Sequence, residues 1–379
     1  MPPKAHAILS ASSSHRWLNC PPSARLCETY EDKGSDYAAE GTDAHSLCEY
    51  KLRKALGMCA VDPSEHLTWY SEEMEDCANG YAAYILELVE AAKETCAAPV
   101  VLIEQRVDFS RWVEQGFGTS DAIIISDGTL RVIDYKHGLG VLVEADNNPQ
   151  MMCYALGALE LFDAIYDIDS VAMTVYQPRR QNVSTFEMSK DDLYRWAEEV
   201  LKPTAELAFA GDGNFLCGEW CGFCKAKHEC RARAEANLLL AQYDFKLPPL
   251  LEDSEIEVIL SRADQLVSWV NDIKEYALQQ AISGKDWTGF KLVEGRSNRR
   301  YTNEAAVTQV VTNAGFDPYE RKLLGITAMQ KLLGKSRFEE LLSAYIEKPQ
   351  GKPTLVPESD KRPVMNNAKT DFMEENDYE

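Results

Sequence analysis

The amino-acid sequence predicts an α/β protein, a mixed sheet flanked by helices with a helical C-terminal domain. Three features point there. Helix-like spacing of apolar residues, clear in Tyr81, Tyr84, Ile85, Leu88 and Val89, gives way near Val100 to short runs of strand length. Asp127-Gly128 marks a tight turn between two such runs. Pro149 then suits the first turn of a helix, and another strand-like run follows it.

Along the chain, the first thirty residues read as irregular, with polar Ser10 to Ser14 and a turn at Cys20-Pro21-Pro22. A helix is expected from about Asp36 to Leu56, stopped by Gly57, and a longer one from about Ser71 to Ala97. Strands are expected at Val100 to Val107, Asp121 to Ser126 and Leu130 to Tyr135, the last two as a hairpin. A helix from Pro149 to about Phe162 and a strand at Ser170 to Tyr176 follow. Helices from about Lys190 to Ala210 and from about His228 to Tyr243 flank a cysteine-rich segment. Residues 253 to 283 read as one long amphipathic helix and Trp287 to Val293 as a short strand, with two or three more helices to about Glu347. The expected domains are therefore 1–245, a mainly helical accessory domain over 250–347, and a disordered tail over 348–379.

The 379 residues are 45% apolar, enough for two or three packed units. No apolar run reaches the roughly 18 residues of a membrane span. The segment Met1-Pro2-Pro3-Lys4-Ala5-His6 lacks the apolar stretch of a signal peptide, so the cytoplasm is the expected location and no membrane is expected as a partner. The net charge of −22 counts against a protein that coats nucleic acid, because that affinity comes from neutralising phosphates. A local basic track is still compatible with a nuclease.

Two neighbouring strands each carry an acid. Asp121 opens one, after Gly116-Phe117-Gly118-Thr119-Ser120, and Asp134 lies on the next, in Val132-Ile133-Asp134-Tyr135-Lys136. Asp134 and Lys136 are two apart and share a face. Asp-x-Lys alone is commonly a solvated ion pair. Here it has company in the order Gly118-x-x-Asp121, hairpin, Asp134-x-Lys136, then Gln150-x-x-x-Tyr154 on one helix face. Carboxylates on such a face suit hard divalent cations, which activate water against a phosphodiester, while the lysine positions that water or offsets charge. Glu104 and Glu40 are open candidates for the same cleft and stay unassigned; His137 points to the opposite face.

Of eleven cysteines, Cys217, Cys221, Cys224 and Cys230 crowd into a polar segment. Cys221-x2-Cys224 has the spacing of a metal knuckle, for zinc or an iron–sulfur cluster. Either these four form a local site, or one distant cysteine joins Cys221, Cys224 and Cys230. Candidate phosphate contacts are Arg179 and Arg180, then Lys225, Lys227, Arg231 and Arg233, then Arg296, Arg299 and Arg300. Trp220 and Phe223 are placed to stack on bases.

Taken as a set, these motifs resemble the PD-(D/E)XK nuclease superfamily over roughly residues 10 to 235. Within it they are similar to the RecB-like exonucleases, including the CRISPR-associated RecB-like nucleases. The resemblance implies a restriction-endonuclease-like core. It implies metal ligation by His45, in Glu40-Gly41-Thr42-Asp43-Ala44-His45, and by Asp121 and Asp134. It implies catalysis by Asp121, Asp134 and Lys136, with Gln150 and Tyr154 positioning DNA and the site. Iron–sulfur members carry one cysteine before the core and a Cys-x2-Cys-x5-Cys run after it. Cys20, in Arg16-Trp17-Leu18-Asn19-Cys20-Pro21, with Cys221, Cys224 and Cys230 matches that pattern, implying a [4Fe–4S] staple with zinc as the alternative; Cys217 departs from it. The chain is also similar to a RecB-like family of phage and prophage genomes. The expected activity is a Mg²⁺- or Mn²⁺-dependent deoxyribonuclease, an exonuclease on DNA ends in phage recombination or replication within the host cytoplasm. Its rivals are a non-catalytic DNA-binding scaffold and a nuclease subunit needing a helicase or a phage recombination (annealing) protein.

Overall fold

The computed structural model describes residues 7–31, 34–94, 96–239, 251–294, 301–319, 323–347 and 356. The chain divides into two compact units, Met1–Lys285 and Asp286–Glu379. The first begins with a 3-10 turn at Ala11–Ser13 and two short helices, α1 (Ser14–Asn19) and α2 (Ser23–Glu28). The stretch read as irregular is thus largely helical. Its signal was hidden because six-residue helices show hardly two turns of periodicity and these are Ser- and Pro-flanked.

Helices α3 (Asp36–Ala55) and α4 (Glu72–Lys93) follow. Each starts at a serine whose hydroxyl accepts a backbone N–H, Ser35 from Ala38 and Ser71 from Met74. Glu72, Glu73 and Glu75 in the first turn of α4, and Lys93 in its last, complement the helix dipole. The sheet then forms from β1 (Val100–Asp108), β2 (Phe117–Ser126) and β3 (Gly128–Tyr135), with Gly128 at φ +73° in the hairpin turn. Helix α5 (Pro149–Phe162) is the crossover from β3 to its parallel neighbour β4 (Ile168–Gln177). Asn148 caps α5, its side chain accepting from the N–H of Gln150 and Met151, and Pro149 occupies the first turn. A fifth strand, β5 (Asn182–Ser189), pairs antiparallel with β4, so the mixed sheet runs β1-β2-β3-β4-β5.

Strand alternation fills both faces of this sheet. Ile123, Ile125, Leu130 and Val132 pack with α5, which is buried continuously from Met151 to Leu159. Ala122, Ile124, Ile133 and Tyr135 pack with Leu47 and Leu52 of α3 and Ile85 of α4. Burying a Leu or Ile side chain fully contributes about 1.5–3 kcal/mol, and all three of these are fully buried.

The helix expected over 190–210 is divided. Helix α6 (Lys190–Trp196) runs into a π-turn at Ala197–Leu201 and resumes as α7 (Lys202–Ala210). Pro203 supplies no N–H to the preceding turn, which accounts for the wider turn before it. The cysteine segment contains a 3-10 turn at Glu219–Phe223 and leads into α8 (Arg231–Leu238). The long helix α9 (Asp253–Ile282) belongs to this first unit, where the sequence suggested the accessory domain. Arg233, only 4% exposed, explains it by donating to Asp272 and Ser268 of α9, while Lys227 lies 2.7 Å from Asp272.

Residues 287–293 form turn and coil instead of the expected strand. The second unit holds α10 (Glu304–Asn313), α11 (Ile326–Leu333) and α12 (Lys335–Leu342), in line with the expected helices. The Arg296, Arg299 and Arg300 group and, apart from Val356, the expected tail over 348–379 lie outside the described residues. No helix among the described residues is long and apolar enough to cross a membrane.

Candidate metal centre

The register of the sheet aligns three acids. The β1–β2 pairs on either side of Glu104 and Asp121 keep one register, Ile103 with Ala122 and Gln105 with Ser120, so Glu104 and Asp121 stand opposite each other. On the other side of β2, Ala122 pairs with Ile133, and one residue further Asp121 comes opposite Asp134. Glu104, Asp121 and Asp134 thus form a row at one level across β1, β2 and β3. Like charges directly opposite destabilise a sheet. Glu104 also sits at φ +51°, a left-handed conformation that costs a non-glycine residue energy and occurs where function holds it.

Asp121 therefore lies within β2, not at its start, because Phe117 to Ser120 already pair with β1. Its Oδ2 accepts the Tyr135 backbone N–H at 2.6 Å, and its Oδ1 lies 3.0 Å from Nδ1 of His45. The His45 ring packs edge-on to Tyr135. His45, Glu104 and Asp121 each offer a ligand atom, all within 4.8 Å of one another. Burial works against a charge on His45, but the Asp121 and Asp134 carboxylates outweigh it and lift the imidazole to about 9. Burial, then repulsion from Asp121, raises the Glu104 carboxyl to about 7. Glu104, left unassigned from sequence, is the third member of this group; Asp134 stands outside it.

Asp134 is 3% exposed, and burial raises its carboxyl above the ordinary value. Its Oδ1 accepts from Gln150 Nε2 at 3.1 Å. Its Oδ2 lies 2.9 Å from Lys136 Nζ, a buried ion pair. Burial opposes the charge on Lys136, yet Asp134 and Asp121 hold its ammonium above the usual lysine value. Lys136 also donates to Gln150 Oε1 at 3.3 Å, and Gln150 Nε2 donates to the Tyr154 hydroxyl at 3.1 Å. Gly118 explains its own place in the motif: a Cβ there would stand 2.5 Å from the Tyr154 ring. Glu104 and Asp121 facing each other, with His45 beside them, form a donor set suited to a hard divalent cation.

Glu40 and His137 lie on the other side of Tyr135. His137 Nδ1 is 2.8 Å from the Tyr135 hydroxyl, and Glu40 accepts from Arg179 at 3.0 Å. Arg179 also pairs with Glu73. Arg179, Lys227 and Arg233, three of the expected phosphate contacts, are engaged in internal ion pairs. Arg180 donates to the Leu139 carbonyl. Trp220 Nε1 donates to the Leu216 carbonyl, whereas Phe223 is 69% exposed.

The cysteines meet from both ends of the first unit. Arg25 Nε donates to the Phe209 carbonyl at 2.6 Å and brings α2 against the end of α7. Cys27, not singled out from sequence, then lies with its sulfur 3.7 Å from that of Cys224. Cys20, Cys27 and Cys221 are buried; Cys217, Cys224 and Cys230 are half-buried. Cys20 and Cys221 interact electrostatically, Cys217 contacts Cys221, and Cys230 acts on Cys217. Among the described residues, no three cysteine sulfurs lie within 4.8 Å of one another; Cys27 and Cys224 are in direct contact.

A solved structure titled "Crystal structure of SSO0001" is similar at 16% identity, covering 49% of this chain and 94% of that one, with a TM-score of 0.23; no argument rests on that likeness. A family model described as "Protein of unknown function (DUF2800)" matches residues 6–363. With nearly the whole sequence inside that match, the chain belongs to the DUF2800 family.

Proposed function

We propose that this chain is a Mg²⁺- or Mn²⁺-dependent deoxyribonuclease with a PD-(D/E)XK core of RecB type, an exonuclease on DNA ends in phage recombination or replication. The row of Glu104, Asp121 and Asp134 on three adjacent strands, with charged Lys136 against it, carries the reading. His45, Glu104 and Asp121 would hold one divalent cation, with Asp134 on the neighbouring strand paired to Lys136. When bound, such a cation polarises a phosphodiester and lowers the pKa of water beside it. Lys136, kept as ammonium, donates a proton in a hydrogen bond from Nζ to the attacking water or to the charged phosphate oxygen. Gln150 fixes the Asp134–Lys136 pair through both of its amide atoms and is itself held by Tyr154. Glu104, whose carboxyl is raised to about 7 by burial and by Asp121 before a cation binds, would give up its proton to serve as a ligand. The cysteines are read as a metal staple, a [4Fe–4S] cluster or zinc on Cys20, Cys221, Cys224 and Cys230, with a structural role.

The test is cleavage of labelled linear single- and double-stranded DNA by the anaerobically purified full chain with Mn²⁺ or Mg²⁺, beside Lys136→Ala. Degradation that disappears in the variant is expected. Equal degradation by both would remove the assignment. The net charge of −22, with three expected phosphate contacts engaged internally, favours a second reading: a nuclease subunit that needs a helicase or annealing protein. A wild-type chain inert alone and active with such a partner would select it.

A further inference from the structure

The loop between β3 and α5 begins and ends in the candidate metal centre. Lys136 stands at its start and Gln150 at its end, and the two side chains meet at 3.3 Å. Lys136 is also where the centre opens, its side chain being 28% exposed against 4% for its partner Asp134. Just beyond it runs Gly138-Leu139-Gly140-Val141-Leu142. Leu139, Val141 and Leu142 are between 42% and 57% exposed, three apolar side chains beside a site made of charged ones. Such a patch at the edge of a cleft marks a surface that something covers.

The loop has no regular secondary structure, yet its backbone is held. Gln177, buried at the end of β4, donates from Nε2 to the carbonyls of Gly138 and Val141, both at 2.8 Å, and its Oε1 accepts the Val143 N–H at 3.2 Å. On β5, Asn182 donates to the Val143 carbonyl and Ser184 accepts the Ala145 N–H, each at 2.9 Å. The sheet thus fixes the backbone and leaves the apolar side chains in solvent. A Cβ at Gly138 or Gly140 would meet nothing within 4 Å, so open space borders Leu139 on both sides. Arg180 donates from Nη1 to the Leu139 carbonyl at 2.9 Å. A guanidinium carries five N–H donors, so the same group that pins the loop also offers a phosphate its other donors. Apolar side chains for bases and a cation for the backbone therefore stand together at the mouth of the centre.

We infer that Leu139, Val141 and Leu142 form a wedge that unpairs the end of a DNA duplex, and that Arg180 takes a phosphate of the strand led past Lys136 to the metal centre. Apolar side chains on a fixed backbone part base steps by displacing the stacking partner, and the arginine offsets the charge of the strand drawn away. What reaches the centre is then one unpaired strand, peeled from a duplex end or supplied single-stranded. The inference rests on the nuclease reading above and adds how paired DNA gains access to that centre.

The test compares the full chain, purified anaerobically, with the double variant Leu139→Ser, Leu142→Ser, whose altered side chains are exposed and outside the core. Cleavage rates with Mn²⁺ are measured on three DNAs of one sequence: a blunt duplex, the same duplex with a forked end, and the single strand. The ratio of blunt-duplex to single-strand rate should fall at least about tenfold in the variant, and the forked end should restore it, because its terminal bases are already parted. A second readout needs no cleavage. A 2-aminopurine in the terminal base pair brightens when unstacked; Lys136→Ala should brighten it, and Lys136→Ala carrying the two serines should not. An equal rate ratio in wild type and variant would overturn the inference. So would a loss seen only when a helicase or annealing protein is added, which would make the loop a protein contact. Single-strand cleavage with the blunt duplex untouched and no brightening would overturn the wedge and leave the nuclease. Brightening without any cleavage by the wild type would keep the wedge and remove the nuclease reading; neither signal would remove both.

Discussion

Binding of Mn²⁺ to His45, Glu104 and Asp121 should release protons, in a number that changes with pH. In the free protein His45 titrates at about 9 and Glu104 at about 7. A metal needs the lone pair of each, so their protons must leave on binding. Near pH 6 both are present; near pH 8 only that of His45 remains. The logarithm of the apparent association constant should therefore rise with pH at a slope of about two near pH 6 and about one near pH 8. A slope of one is tenfold in affinity per pH unit. Calorimetric titration of the full chain in buffers of differing ionisation enthalpy counts these protons directly. His45→Ala should release about one proton fewer near pH 8. Equal release from wild type and variant would refute the assignment of His45 as a ligand paired with Asp121. The sign for the metal-free fold is the reverse: the stabilisation from protonated His45 is complete below about 6.5 and disappears as pH climbs through about 9.

Glu104→Gln should abolish tight Mn²⁺ binding yet stabilise the metal-free protein near pH 8 by about 1–3 kcal/mol, after allowance for screening. The Glu104 carboxyl is raised to about 7, so wild-type stability falls as pH rises from about 4.5 through that value, and thermal melts of the two proteins at both pH extremes test this. Gly118→Ala pushes a methyl into the Tyr154 ring; a loss of about 1–3 kcal/mol in chemical denaturation, with cleavage reduced through displaced Gln150, is expected. Arg233→Ala removes one of the two cations on half-buried Asp272, leaving Lys227, and should cost about 1–3 kcal/mol, seen as early proteolysis of α9. Asn148→Ala removes the cap of α5 and should cost about 1 kcal/mol in the same denaturation assay.

Sequence reading and structure agree most closely where local chemistry is strongest. Pro149 places α5 correctly because its fixed φ and missing N–H suit a first turn, and Asn148 adds the cap. Asp134, Lys136, Gln150 and Tyr154 were legible as a group because their spacing alone puts them on shared faces, and they are linked by hydrogen bonds and an ion pair. Glu104 was not, since its role depends on a cross-strand register and a left-handed backbone that leave no local pattern. Strand β5 carried a usable signal: its burial alternates residue by residue, with Phe186 and Met188 turned inward, but Asn, Ser, Thr and Glu between them read as loop. Arg179 and Arg233 resembled solvent-facing cations because sequence shows a charge and hides its partner.

The junction of Cys27 with Cys224 also dictates a timetable. On a ribosome adding about 5–20 residues per second, the second thiol follows the first by about 10–40 s, before exit-tunnel transit is counted. Throughout that interval Cys27 belongs to a nascent chain without the sulfur it will face, open to oxidants. The N-terminal helices can meet the segment around Cys224 only once it emerges, after all five strands of the sheet have been synthesised.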